Sequence, residues 1–367
     1  MKAKLLATTA FVAAGLVLFD QAAQAQSKAP SVSVRGYYDV EAGFSDQKDG
    51  RPLVGRRVTF DTIQDVEVHF NISAALDNGL RFDGRVELEG GSEGDQIDES
   101  WLRARWFFGD IYLGSRNPEA YKNTYFAPDV GTETVDYERW IIVKSGASTS
   151  GESPFLDPRL RFGCNDCDNV TYVTPRFAGF QLTGSYLPNV EQDLNTSIAT
   201  TDSVYNKGVA LGLNFDRKFD QLQIGFNAHY QTWLGVPAGL PDDPWGLTIS
   251  GKISYAGFTV GGAWMLVEDF RSGATNSQDG SGWEVGASYA FGPNAVSFVY
   301  RKGEDEDSTT VSGSDEIDVY AVGFNRDLGP GVRLYANVIY FDLTGENPGT
   351  ADDNKGWIAF TGLGLRF

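Results

Sequence analysis

The chain has 367 residues, is 41% hydrophobic and 13% aromatic, contains 43 glycines and carries a formal charge of −19. That glycine content excludes a coiled coil, and the apolar fraction excludes a disordered chain. A mean hydropathy of −0.26 with a single long apolar run excludes a bundle of membrane helices, and the acidic balance excludes nucleic acid as the main partner, which requires clustered Lys and Arg.

The one long apolar run stands at the N-terminus. Lys2 and Lys4 precede the apolar stretch Leu5 to Phe19, and Ala23-Gln24-Ala25 closes it with small residues at the spacing signal peptidase reads. Residues 1–25 therefore read as a cleaved secretory signal, and 26–367 as the mature domain. A membrane-anchoring helix needs about 20 apolar residues, and Asp20 and two glutamines interrupt the run first. Removing the signal takes two lysines and one aspartate from a charge of −19 and leaves −20.

From Ser31 the pattern has period two. Val32, Val34, Gly36, Tyr38, Val40, Ala42 and Phe44 share one face, against Ser33, Arg35, Tyr37, Asp39 and Glu41 on the other. Val66 to Leu76 repeats it, with Asp65, Glu67, His69, Asn71 and Ser73 on the polar side. The same alternation recurs over 80–88, 180–186, 209–215, 222–230, 245–255, 258–266, 283–291 and 332–340. Such a pattern means strands with one apolar and one polar face, and no segment shows a convincing helical period.

Turn signals fall near Asn78, Gly109, Phe177, Lys218, Ala256, Pro293 and Pro330. Each gap between them holds a strand, a longer polar loop and another strand. Seven tight turns therefore join fourteen strands, and one more at each end makes sixteen. The gap from Gly109 to Phe177 is 68 residues against 31 to 41 elsewhere, so the loop between roughly Asn117 and Asp168 is oversized. A loop of that length in a compact chain is usually functional.

Three features favour a membrane barrel over a soluble sandwich. Many segments reach the length at which a tilted strand crosses a bilayer, about 9–11 residues, beyond the usual 5–6 of soluble sheets. Short turns and long loops fall on opposite ends. Phe44, Tyr230, Trp245, Tyr255, Phe258, Trp283, Phe291 and Tyr340 stand near the ends of the apolar faces, where amphipathic rings favour the bilayer interface. Only a closed barrel leaves no unpaired backbone in hydrocarbon. The expected fold is all-β, a sixteen-stranded antiparallel transmembrane β-barrel, wide enough for a water-filled lumen.

The ending Thr361-Gly362-Leu363-Gly364-Leu365-Arg366-Phe367 resembles the closing strand of Gram-negative outer-membrane porins. The runs Ile97 to Gly114 and Asn169 to Tyr186 are similar to hairpins of proteobacterial general diffusion porins. The resemblance implies a homotrimer in the outer membrane, in contact with its lipid and lipopolysaccharide, with the third external loop folded into the lumen. It also implies that Leu363, Leu365 and Phe367 act as the signal read by the barrel-assembly machinery. The Pro-Glu-Phe-Gly-Gly stretch of enterobacterial porin loops is absent, with only Pro118-Glu119 near the loop's start.

Pore-facing parity places Arg35, Arg81, Arg85, Arg103, Arg105 and Arg116 on one basic wall. Glu119, Asp129, Glu133, Asp136 and Glu138 of the long loop would face that wall if the loop folds inward. Opposed charges across a wet neck orient solutes and tune ion selectivity. The competing reading pairs the arginines with Asp83, Glu87 and Glu99 nearby.

Cys164 and Cys167 are the only cysteines, too few for a structural zinc site, and in an oxidising compartment they read as a loop-stapling disulfide. His69, Asn71 and Ser73 share a strand face, as a barrel lipase's trio would, but they point to the lumen and not to lipid. His229 has no neighbouring ligand candidates, so no metal or cofactor is expected. The expected function is non-enzymatic: passive diffusion of small hydrophilic solutes and ions, with cation preference. The alternatives are a pore selective for sugars or dicarboxylates and, further off, a barrel hydrolase.

Overall fold

The computed structural model describes residues 28–47, 60–91, 96–132, 137–141, 166–190, 205–240, 244–270, 276–308, 313–345 and 353–367. The first half of the wall comprises β1 (Lys28–Gln47), β2 (Phe60–Ala75), β3 (Arg81–Gly90), β4 (Ile97–Trp106), β5 (Gly109–Ser115), β6 (Asp168–Val173), β7 (Phe180–Asn189) and β8 (Asn206–Phe219). The second half comprises β9 (Leu222–Gly235), β10 (Trp245–Tyr255), β11 (Phe258–Glu268), β12 (Asn276–Phe291), β13 (Asn294–Ser308), β14 (Asp315–Gly329), β15 (Val332–Thr344) and β16 (Asn354–Arg366). Each strand pairs antiparallel with its sequence neighbours, and β1 pairs with β16, so the sixteen-stranded sheet closes on itself.

Closure is sealed at the chain end. The Gly36 and Phe367 backbones exchange hydrogen bonds of 2.9 and 3.1 Å. The Arg366 guanidinium donates to both carboxylate oxygens of the fully buried Asp39, at 2.6 and 2.9 Å. Leu363, Leu365 and Phe367 are exposed on the opposite, apolar face.

Alternation sets the two faces of the wall. On β14, Tyr320, Val322 and Phe324 are exposed while Val319, Ala321 and Gly323 are buried. The exposed apolar faces make the lipid belt, and rings border it. Trp283, Tyr300, Tyr320, Tyr340 and Trp357 contact one another in series across β12–β16, with centroids 4.8–6.3 Å apart. Phe258, Tyr289 and Phe291 form a second group beside the short turns.

All seven predicted tight turns connect consecutive strands. Ala256 and Gly257 illustrate why two residues suffice: both have positive φ, 50° and 88°, the type I′ geometry that matches strand twist. At the other end the strands outrun the sequence reading, β12 beginning at Asn276 and β15 ending at Thr344. On β13 the outward residues pass from Val296, Phe298 and Tyr300 to Lys302, Glu304 and Glu306. Backbone pairing continues above the hydrocarbon, where the apolar period that marks a strand has ended.

One feature departs from the expected apolar-out, polar-in pattern. Ile317, Val319, Ala321, Tyr335, Ile339, Phe341, Ile358 and Phe360 are buried on the inner face of β14–β16, packed with Ala127, Trp140 and Ile141 of the long connection after β5. An inner wall shielded from water by another segment has no reason to be polar.

Candidate pore-lining site

The connection after β5 begins with Arg116 and a single helical turn, α1 (Glu119–Lys122), which lies against β7–β9. The chain then crosses successive strands on their buried faces. Tyr125 donates its N–H to Ser250 Oγ on β10 at 3.0 Å and its hydroxyl to Asp216 on β8 at 3.0 Å. Ala127 N–H donates to Glu284 Oε1 on β12 at 2.6 Å, and Val130 N–H to Ser297 Oγ on β13 at 3.0 Å. Asp129 accepts from Gly131 N–H at 2.8 Å, Ser297 Oγ at 3.2 Å and Asn337 Nδ2 of β15 at 3.0 Å.

A 3-10 turn at Tyr137–Trp140 continues the course. Trp140 donates its indole N–H to Glu41 of β1 at 2.6 Å, accepts from Gln47 Nε2 at 2.6 Å and stacks on Phe360 of β16, with centroids 5.6 Å apart. Arg139 lies 3.7 Å from Asp65 of β2. Close approach is possible because small residues meet: a Cβ on Gly131 would stand 2.6 Å from the Gly323 Cα.

Burial pushes the Asp129 carboxyl above the ordinary carboxylate range, against the pull of its three hydrogen bonds. The Tyr125 hydroxyl is raised too, by burial first and then by its bond to Asp216. Asp166, before β6, is pushed well up by burial and by the Asp98 and Glu99 carboxylates. It accepts from Asn117 Nδ2 at 2.6 Å.

The predicted basic residues of the first five strands share one sector of the wall, and carboxylates accompany them. Arg103 pairs with Asp83 at 2.6 Å and Asp110 at 3.5 Å, and donates to the Tyr112 hydroxyl at 3.1 Å. Arg105 stands 3.4 Å from Asp110, and Arg85 pairs with Glu87 at 2.8 Å. Arg35 and Arg81 are exposed, opposite His69 and Arg105 in register. Arg116 is buried over the Tyr112 ring, 4.0 Å from its centroid, and bonds Glu119 within its own segment at 2.9 Å.

Of the predicted acidic loop residues, Glu119 thus meets Arg116, while Asp129 meets neutral donors on β13 and β15. Glu133, Asp136 and the Glu138 side chain lie outside the described residues. Cys167 is fully buried and disulfide-bonded, whereas Cys164 lies outside the described residues.

The sequence reading did not single out the sign change along these strands. Toward the long-loop ends, Arg35 on β1 gives way to Asp39 and Glu41, and Arg81 and Arg85 on β3 give way to Glu87 and Glu89. Glu99 on β4 is bonded by Lys122 of α1 at 2.5 Å. Parity carries this information, but ordering the charges across strands requires register. His69, Asn71 and Ser73 bond Glu67, Arg85 and Ser31 respectively, and form no chain from hydroxyl to imidazole among the described contacts.

The sequence profile described as Gram-negative porin matches residues 7–346. The chain belongs to this family. This porin resides in the outer membrane and forms a transmembrane β-barrel channel. Its fold is similar to that of Salmonella typhi OmpF in complex with daunomycin, at 13% identity and a TM-score of 0.64, covering 93% of this chain and all of that one. The anion-selective porin from Comamonas acidovorans superposes at 16% identity and a TM-score of 0.62, covering 92% and 100%. Vibrio cholerae OmpT, described as a trimer form, superposes at 14% identity and a TM-score of 0.59, covering 93% and 100%. No curated protein matches the sequence.

Proposed function

We propose that this porin passes small hydrophilic solutes and ions by passive diffusion, prefers cations and works as a homotrimer whose third external loop narrows the lumen from inside. The observation that carries the reading is the course of residues 125–131. Their partners Ser250, Glu284, Ser297 and Asn337 are buried and alternate with lipid-exposed neighbours such as Ile249, Val285, Val296 and Val338. Bonding of this segment to that face supports a loop folded inward. Sixteen strands enclose more space than side chains fill, which leaves an aqueous path.

Cation preference follows from charge. The whole chain carries −19, and the wall arginines Arg85, Arg103 and Arg105 are each offset by a carboxylate. Acidic mouths concentrate cations, an effect that fades as salt shortens the screening length from about 10 Å at 0.1 M to about 3 Å at 1 M. The trimer reading draws on the trimer form of the Vibrio protein. Export through the signal at 1–25 and assembly through Leu363, Leu365 and Phe367 belong to the same reading, as does a Cys164–Cys167 staple.

Zero-current potentials in planar bilayers test it. Replacing Arg81, Arg85 and Arg103 together by Ala uncovers Asp83 and Glu87, so the cation-to-anion permeability ratio rises. Wild-type pores that favour chloride, or a triple variant with unchanged potentials, would overturn it. Conductance with added sugars or dicarboxylates separates a general from a selective pore.

A further inference from the structure

On the inner face of β2 and β3, where the arginines end and the carboxylates begin, three metal-ligating side chains converge. Glu67 and His69 are two apart on one strand and so share a face, and Glu87 stands directly opposite His69 in the antiparallel register. His69 Nε2 lies 2.6 Å from Glu67 Oε2 and 3.9 Å from Glu87 Oε1. One donor atom from each of the three falls within 4.8 Å of the others.

We propose that Glu67, His69 and Glu87 form a binding site for a divalent transition-metal ion of the zinc type on the pore wall. Zinc takes imidazole nitrogen and carboxylate oxygen at about 2.0–2.2 Å in tetrahedral geometry, which puts its ligand atoms about 3.3–3.6 Å apart. Separations of 2.6 and 3.9 Å bracket that spacing and the third side lies within 4.8 Å, so side-chain adjustments of about 1 Å bring the three donors to it. An imidazole favours zinc, copper or nickel over magnesium or calcium, which prefer oxygen alone.

The ligands are held before any ion arrives. Tyr37 donates its hydroxyl to Glu67 Oε1 at 2.5 Å, and Arg85 donates to Glu87 Oε1 at 2.8 Å. A carboxylate so oriented keeps lone pairs for a metal. All three are set on paired strands and not on loops, which favours a rigid site. The His69 side chain keeps 15% exposure, so an ion can enter from the aqueous side and complete its coordination with water.

Tag-free protein washed with chelator and held in detergent is titrated with Co2+, whose visible absorption reports an N/O site, and then with Zn2+ by calorimetry. The expected result is one Zn2+ per chain that displaces Co2+, with millimolar Ca2+ displacing neither. His69→Gln, which is similar in size, weakens binding by at least about a hundredfold, more than loss of a supporting partner does. Glu87→Gln weakens it too, and His229→Gln leaves it unchanged. Heat-modifiable mobility on gels checks that each variant is a folded barrel. A His69→Gln variant that folds and titrates as wild type overturns the site, as does a wild type without the cobalt band. Neither readout needs an open channel, so the diffusion reading stands or falls separately.

Discussion

Asp129 is the point at which loop attachment is most open to attack. Its carboxylate accepts from Gly131 N–H, Ser297 Oγ and Asn337 Nδ2. Asp129→Ala leaves three donors without that acceptor, at about 1 kcal/mol or more each. Relief of a desolvated charge offsets part, so a net of about 3 kcal/mol is expected, near 150-fold in the balance between attached and lifted loop. Asp129→Asn removes the charge but keeps an acceptor and the shape, and costs less. Because the folded carboxyl titrates above its ordinary value, ionisation disfavours attachment. The penalty is absent below the ordinary value of about 3.9, grows as pH rises to the raised one and is constant beyond it. Attachment should therefore tighten on acidification in the wild type and show no such response in Asp129→Asn. Gly323→Val tests the same contact by bulk, since its Cβ would stand 2.5 Å from the Gly131 nitrogen. Open-channel current noise and trypsin cleavage at Lys122 and Arg139 report lifting. If Asp129→Ala matches wild type in both, residues 125–131 do not depend on this anchor and the reasoning fails.

Arg366→Ala leaves the fully buried Asp39 without its bidentate partner. Taking a partner from a buried charge is destabilising, so the temperature of the gel-mobility shift should drop, and pairing the change with Asp39→Asn should recover much of it. Intact-mass analysis of protein taken from the membrane should find free thiols at Cys164 and Cys167 only after reduction. Thiols labelled before reduction would remove the staple. Cysteines introduced at Asn78 or Asn294, beside short turns, should label from the periplasm, and one at Ser272, in the connection after β11, from outside. Labelling all three from one side would contradict the proposed orientation in the membrane.

Strand number, antiparallel order and the lipid-facing side chains were legible in the sequence because they depend on local rules. Side-chain direction in a strand has period two, and two-residue turns demand particular residues, so Tyr255-Ala256-Gly257-Phe258 announces its own hairpin. Water on one side and hydrocarbon on the other write that period plainly from Val32 to Phe44 and from Trp245 to Tyr255. Where the surroundings change, the signal stops. Above the bilayer, Lys302, Glu304 and Glu306 face outward and the strand is invisible to hydropathy although its ladder continues.

The partners of the charged groups were decided by tertiary structure. Parity put Arg85 and Arg103 toward the lumen and left Asp129 in a long loop, but pairing Arg103 with Asp83, and Asp129 with Ser297 and Asn337, depends on register and on contacts spanning up to 208 residues of chain. The apolar inner face of β14–β16 is the sharper case. Ile339 and Phe341 read as ordinary strand residues, and nothing within β15 says that Trp140 and Ile141, nearly 200 residues earlier, keep water off them. A side chain's neighbours along the strand encode its direction, whereas its environment is set by whichever distant segment the closed barrel brings against it.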